Sequence, residues 1–167
     1  MLNSQPTHAY ICVACGTQYE DTFSPRPSCP VCEDARQFVP ADGQAWTTID
    51  ELRETHQNEI RELEPERLWG IGTVPQFAIG QRALLVRTPA GNLLWDCISL
   101  VDDATVERIE ALGGIDAIAV SHPHFYGSMV DWSRAFGGAP IYLHEAEREW
   151  VRRAREAAPD PKGFTNP

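Results

Sequence analysis

The chain has almost no lysine. Of its 14 basic residues only Lys162 is a lysine, and they face 24 acidic residues for a net charge of −10. No Lys/Arg stripe with interleaved aromatics offsets that field, which would repel a phosphate backbone, so nucleic acid is excluded as an expected partner. Long apolar runs are also missing. Nothing approaches a bilayer span, and the opening "MLNSQPTHAY" has neither the basic region nor the hydrophobic core of a signal peptide, so no membrane partner and a cytoplasmic location are expected. Internal repeats and low-complexity segments are absent too. What remains is ordinary globular composition, 43% hydrophobic and 23% charged over 167 residues, enough for one modest domain and a small module.

Large aliphatic residues are scarce between residues 8 and 40, where "YICVACGTQYEDTFSPRPSCPVCEDARQFVP" is rich instead in Pro, Cys and turn residues. Such a segment cannot build a core from apolar side chains and needs a staple. Four of the five cysteines supply one. Cys12-Val-Ala-Cys15-Gly16 and Cys29-Pro-Val-Cys32 form two Cys-x-x-Cys pairs separated by thirteen residues. In a chain without a secretory signal this spacing points to a tetrathiolate metal site before disulfides, with Gly16 free to take the left-handed turn of a knuckle. Four sulfurs suit structural Zn2+, or a single iron. Cys97, alone in "LLWDCISL", reads as a small buried hydrophobe.

Residues 41–69 read as a linker with a helix. Thr48 and Glu51 form a capping-box pattern, and Ile49, Leu52, His56, Ile60 and Leu63 recur at helical spacing, predicting a helix over 48–63 ended by Pro65. His56 on that stripe reads as a half-buried helix residue. From residue 70 to 158 the pattern becomes strands, then strand–helix alternation. "TVPQFAIG", "RALLVRT", "LLWDCISL", "IDAIAV" and "APIYLH" are predicted strands, with "PAGN" as a hairpin turn. "DDATVERIEALGG", capped by Asp102 or Asp103, together with "SMVDWSRAF" and "EAEREWVRRAREA", are predicted helices. Residues 159–167 read as a flexible tail. The fold class expected is mixed α/β (α+β).

"AVSHPHFYGSM" holds the second candidate site. His122 and His124 stand two apart in extended backbone, so both imidazoles project to one side at the carboxyl end of a strand, where functional groups gather in α/β sheets. A turn that holds two histidines by chance is the competing reading.

The cysteine segment resembles a zinc ribbon with rubredoxin-like knuckles. The stretch from Phe77 to Glu147 resembles the N-terminal half of the metallo-β-lactamase fold, through "ALLVRTPAGNLLWDC", "DATVERIEAL", "IDAIAVSH", His122-x-His124 and "PIYLHEAE". A ribbon joined to such a domain is similar to a group of bacterial metallo-hydrolases. The resemblance implies an αββα sandwich that is incomplete here, ending before its second sheet. It implies a hydrolase in which a metal-activated water attacks an ester, amide or phosphoester of a small-molecule substrate. His122 and His124 match the first two histidines of the HxHxDH motif and imply a second metal ion, again zinc, but Tyr126 and Gly127 occupy the positions of its Asp and last His. The later His144 is not at a ligand position of that pattern. Asp96 matches a strand-end acidic residue that orients the histidine loop, or is a solvent-facing carboxylate. Tyr126 either donates a hydrogen bond to developing charge or packs beside Phe125 and Trp132. The alternative from another class is a non-catalytic metal-binding module, or an electron carrier if iron is bound. A sheet face left uncovered predicts homo-oligomers.

Overall fold

In the computed structural model, residues 6–34, 39, 41–153 and 162–163 are described. The fold class is mixed α/β, as expected. Two sheets carry it. The small one comprises β1 (His8–Cys12), β2 (Gln18–Thr22) and β3 (Trp46–Thr47), in the order β2-β1-β3. The large one contains β4 (Gln57–Glu64), β5 (Leu68–Val74), β6 (Arg82–Thr88), β7 (Gly91–Trp95), β8 (Ala117–Ala119), β9 (Ile141–Leu143) and β10 (Lys162–Gly163). These strands lie in reverse chain order, antiparallel from β4 to β7 and parallel from β7 to β10.

Alternation along the strands sets which face is covered. Ala83, Leu85, Leu94, Ile71, Ile118 and Ile141 point to one face and are buried. There they meet α2 (Asp103–Ala111) through Ile109 and α3 (Met129–Ala135) through Met129, Val130 and Trp132. Each such side chain contributes about 1.5–3 kcal/mol on burial, which makes this layer the main core. α2 begins where expected: the Asp102 side chain accepts from Thr105 N at 2.7 Å. The register Leu84↔Trp95 and Val86↔Leu93 places those four residues on the opposite face, where Trp95 is 41% exposed.

One predicted element changes type. α1 spans only Ile49–Thr55, with both halves of the Thr48/Glu51 capping box present, and the chain becomes extended at His56. Residues 57–64, expected to continue the helix, form edge strand β4 and pair with β5 from Gln57↔Val74 to Glu64↔Leu68. Leu52, with Ile11, Phe77 and Leu100, satisfies the helix's apolar face, so nothing beyond about two turns is needed to bury it. The strand expected in "TVPQFAIG" lies earlier, ending at Val74. Glu145–Trp150, expected to open the last helix, is a 3-10 turn, and the continuation from 154 lies outside the described residues. Of the expected tail, Lys162–Gly163 pair with Tyr142 and Leu143, and 164–167 lie outside the described residues. Among the described residues no helix is long and apolar enough to cross a membrane.

Candidate functional site

β1 delivers Cys12 into a tight turn that closes with Gly16 N donating to the Cys12 carbonyl at 2.8 Å. Gly16 takes φ +78°, the left-handed conformation that a knuckle needs. The second knuckle closes similarly, with Cys32 N and Glu33 N both donating to the Cys29 carbonyl. All four thiols are buried and unlinked. Cys12 and Cys32 Sγ lie 3.6 Å apart, as do Cys15 and Cys29 Sγ. Four sulfurs at about 2.3 Å from one tetrahedral ion would be separated by about 3.8 Å, so the cluster fits a metal and not a disulfide, whose bond is about 2.05 Å. Among the described residues this is the one group with three or more donor atoms all within 4.8 Å of one another, and it can hold a metal ion.

Two partners of these sulfurs were not legible in the spacing. Tyr19 hydroxyl lies 3.0 Å from Cys29 Sγ, and Gln44 Nε2 donates to Cys12 Sγ at 2.8 Å. Burial and then the Cys29 hydrogen bond raise the Tyr19 hydroxyl far above its ordinary pKa, so it stays a donor to sulfur. Within the thiol cluster, hydrogen bonds from Cys12 and Cys15 hold Cys29 well below the usual thiol value. Those with Cys12 and Cys29 push Cys15 well above it.

The ribbon is locked to the large sheet by polar contacts. Ser99 Oγ lies 2.8 Å from the Gly16 carbonyl and 2.7 Å from Gln81 Oε1. Gln81 Nε2 donates to the His124 carbonyl at 2.6 Å and reaches the Cys15 carbonyl at 3.5 Å. One buried glutamine therefore spans the first knuckle and the histidine turn. On the other side Gln18 Nε2 donates to Asp131 Oδ2 at 2.8 Å, and Arg153 bridges Gln18 and Asp131. Trp150 touches both the main core and the knuckle core.

The histidine turn follows β8, and Asp96 supports it. Asp96 takes φ +65° at the end of β7, and its carboxylate accepts from Ser121 N and from Ser121 Oγ, each at 2.8 Å. It is 7% exposed and faces the loop, not solvent. His122 is extended at φ −159°, and a 3-10 turn at Pro123–Phe125 brings His124 over it. The imidazoles stack at 4.6 Å with an 8° interplanar angle, their Nδ1 atoms 2.8 Å apart. That separation is a hydrogen bond between the rings, and His122 Nδ1 also accepts from His124 N at 3.3 Å. Both rings line a cleft of about 160 Å³ with Pro123, Val31 and Asp34 of the ribbon, and Glu147 and Trp150.

The remaining candidates lie elsewhere. Tyr126 is 3% exposed, and its hydroxyl donates to the Glu147 carbonyl at 3.2 Å; burial and then the Glu147 charge raise its pKa to about 12. Gly127 has φ +39°, and a Cβ there would stand 3.2 Å from the Ile98 backbone, so no larger residue fits without a shift. His144 is exposed and accepts from Ala146 N, capping its turn. His56 packs edge-on against Phe77. Cys97 is fully buried, and burial raises its thiol pKa.

No family model matches the chain. It is similar to the uncharacterized protein YmaE of Bacillus subtilis (strain 168), at 49% identity over 145 residues that make up 86% of this chain and 53% of YmaE. The chain thus spans about half the length of the curated relative it matches. Among solved structures it is similar to VMB-1, crystallised at pH 5.5, with a TM-score of 0.43 and 14% identity over 56% of this chain and 45% of that one.

Proposed function

We propose that the chain is a metal-dependent hydrolase unit of the metallo-β-lactamase kind, with a structural zinc in the ribbon and a second zinc at His122 and His124. The observation that carries this reading is the placement of both imidazoles on one cleft, on a turn pinned by Asp96 through Ser121. A metal ion at that pair would lower the pKa of water and polarise the oxygen of an ester, amide or phosphoester. The chain's own residues do the rest. Asp96 fixes the backbone entry to His122, and Gln81 holds the His124 carbonyl. Val31, Pro123 and Trp150 form a partly apolar wall beside the rings. Tyr126 steadies the Glu147 wall of the cleft through its hydrogen bond.

Metal analysis tests the reading. About two zinc ions per chain, falling to about one in His122→Ala/His124→Ala, is the expected result. A ratio of one, unchanged in that variant, would overturn it. It would favour the second reading, a metal-binding module whose ribbon alone is loaded, because only the cysteines among the described residues are already gathered as a complete donor set. Visible absorbance from iron in the isolated protein would make that module an electron carrier.

A further inference from the structure

A metal ion binds cysteine as the thiolate, which carries no proton and can only accept a hydrogen bond. Four thiolates also outweigh the charge of one divalent ion, so a buried tetrathiolate centre keeps negative charge that needs donors around it. Two side chains are placed to supply them, one for each knuckle. Tyr19 hydroxyl lies 3.0 Å from Cys29 Sγ, and Gln44 Nε2 donates to Cys12 Sγ at 2.8 Å. With Cys29 a thiolate, the only hydrogen between the two groups belongs to the phenol, so the phenol donates. Tyr19 is 3% exposed, and its ring is held edge-on by Trp46 at 5.3 Å with the Arg26 guanidinium over its face. Gln44 lies outside both cysteine pairs, in the stretch that the sequence presents as a linker. β3 brings it in: Trp46 pairs with Cys12 across the small sheet, and Val13 N donates to the Ala45 carbonyl at 3.0 Å. The same tryptophan therefore anchors the strand that carries Gln44 and packs on the ring of Tyr19.

Given the proposed metal at the four cysteines, we propose that Tyr19 and Gln44 are positioning residues of that site, each donating a hydrogen bond to a ligating sulfur and so holding the thiolate and, through it, the ion. Neither touches the metal. A donor hydrogen stabilises the sulfur lone pairs, and three consequences follow from that. The sulfur resists protonation in acid, gives up an electron to the metal less readily under light, and keeps its orientation toward the ion. Partners of this kind behind metal ligands typically change affinity by about 10–100-fold. The net charge of −10 makes such donors more valuable, since the rest of the chain supplies a field that opposes ionised sulfur. The metal site thus extends to the segment after the ribbon, and the ribbon is complete only with β3 in place.

The test uses the whole chain loaded with one equivalent of Co2+, whose thiolate-to-cobalt charge-transfer bands report on the sulfurs directly. Tyr19→Phe keeps the ring and removes only the hydroxyl. Gln44→Leu keeps the bulk of a half-buried side chain and removes the donor. Each should move the bands to longer wavelength and raise the pH at which acid releases the ion. Each should also weaken zinc binding by about tenfold in competition with a chromogenic chelator. Ile11→Val trims a fully buried side chain next to Cys12 in the chain and touches neither donor, so it should lower stability without moving the bands or the release pH. Bands and release pH that stay unchanged in both donor variants, or that move as far in Ile11→Val, would overturn this inference and leave the metal at the cysteines standing. A wild-type chain that shows no thiolate charge-transfer bands with Co2+ would overturn both.

Discussion

Asp96 occupies a backbone conformation that costs an ordinary residue about 1–2 kcal/mol, and it does so where the chain leaves β7. Aspartate tolerates the left-handed region better than most, because its short side chain bonds locally. Here that side chain instead reaches across to Ser121, accepting from its backbone N–H and its hydroxyl. Removing the carboxylate would leave a part-buried N–H without its acceptor. Asp96→Ala should therefore lower stability by about 2–3 kcal/mol in urea unfolding, whereas Asp96→Asn, which keeps one acceptor and the conformational tolerance, should lose less than half of that. A loss below about 0.5 kcal/mol in Asp96→Ala would show that the carboxylate is idle. A carboxylate behind the histidine loop was an expectation of the family resemblance. Its positive φ was not, since an Asp at a strand end carries no local sign of which way the backbone turns.

At the scale of elements, the ribbon and the region after it show what periodicity can and cannot say. The knuckles were legible because a metal site is written in close spacing, four residues whose chemistry has few other uses. The 48–63 helix was misread because Ile60 follows His56 by four residues, which fits a helical stripe, and also alternates with Asn58, which fits a strand. The glutamate-rich sequence favours a helix by propensity, but pairing along the whole of β5 outweighs it, and the charges suit an exposed sheet edge. The docking of the ribbon rests on a narrower feature. A Cβ on Gly16 would stand 2.5 Å from Ser99 Oγ and 2.7 Å from Gln81 Oε1, at a φ that L residues rarely adopt. Gly16→Ala should cost about 1–3 kcal/mol and, in protein loaded with zinc, loosen the four cysteines' hold on the ion, read as faster zinc transfer to a chromogenic chelator. An unchanged transfer rate would mean that knuckle and sheet are energetically independent.

Across the whole molecule, the sequence pattern located two candidate sites but could not place them side by side. That proximity depends on contacts such as Ser99 with Gly16 and Asp131 with Gln18, whose partners are far apart in the chain and have no local signature. The same long-range logic governs the large sheet. Its helices cover the face of Leu85 and Leu94, while the described residues leave Leu84, Val86, Leu93 and Trp95 on the other. Leu84, Val86 and Leu93 are half-buried and Trp95 is exposed, and an apolar strip of this kind can serve as a contact surface. The chain should therefore self-associate through it. Sedimentation velocity over a hundredfold concentration range should show a rising mean mass, and Leu93→Lys/Trp95→Lys, on the open face, should return the protein to monomer with its far-UV circular dichroism unchanged. A wild-type chain that stays monomeric throughout that range would show that the strip attracts no second copy.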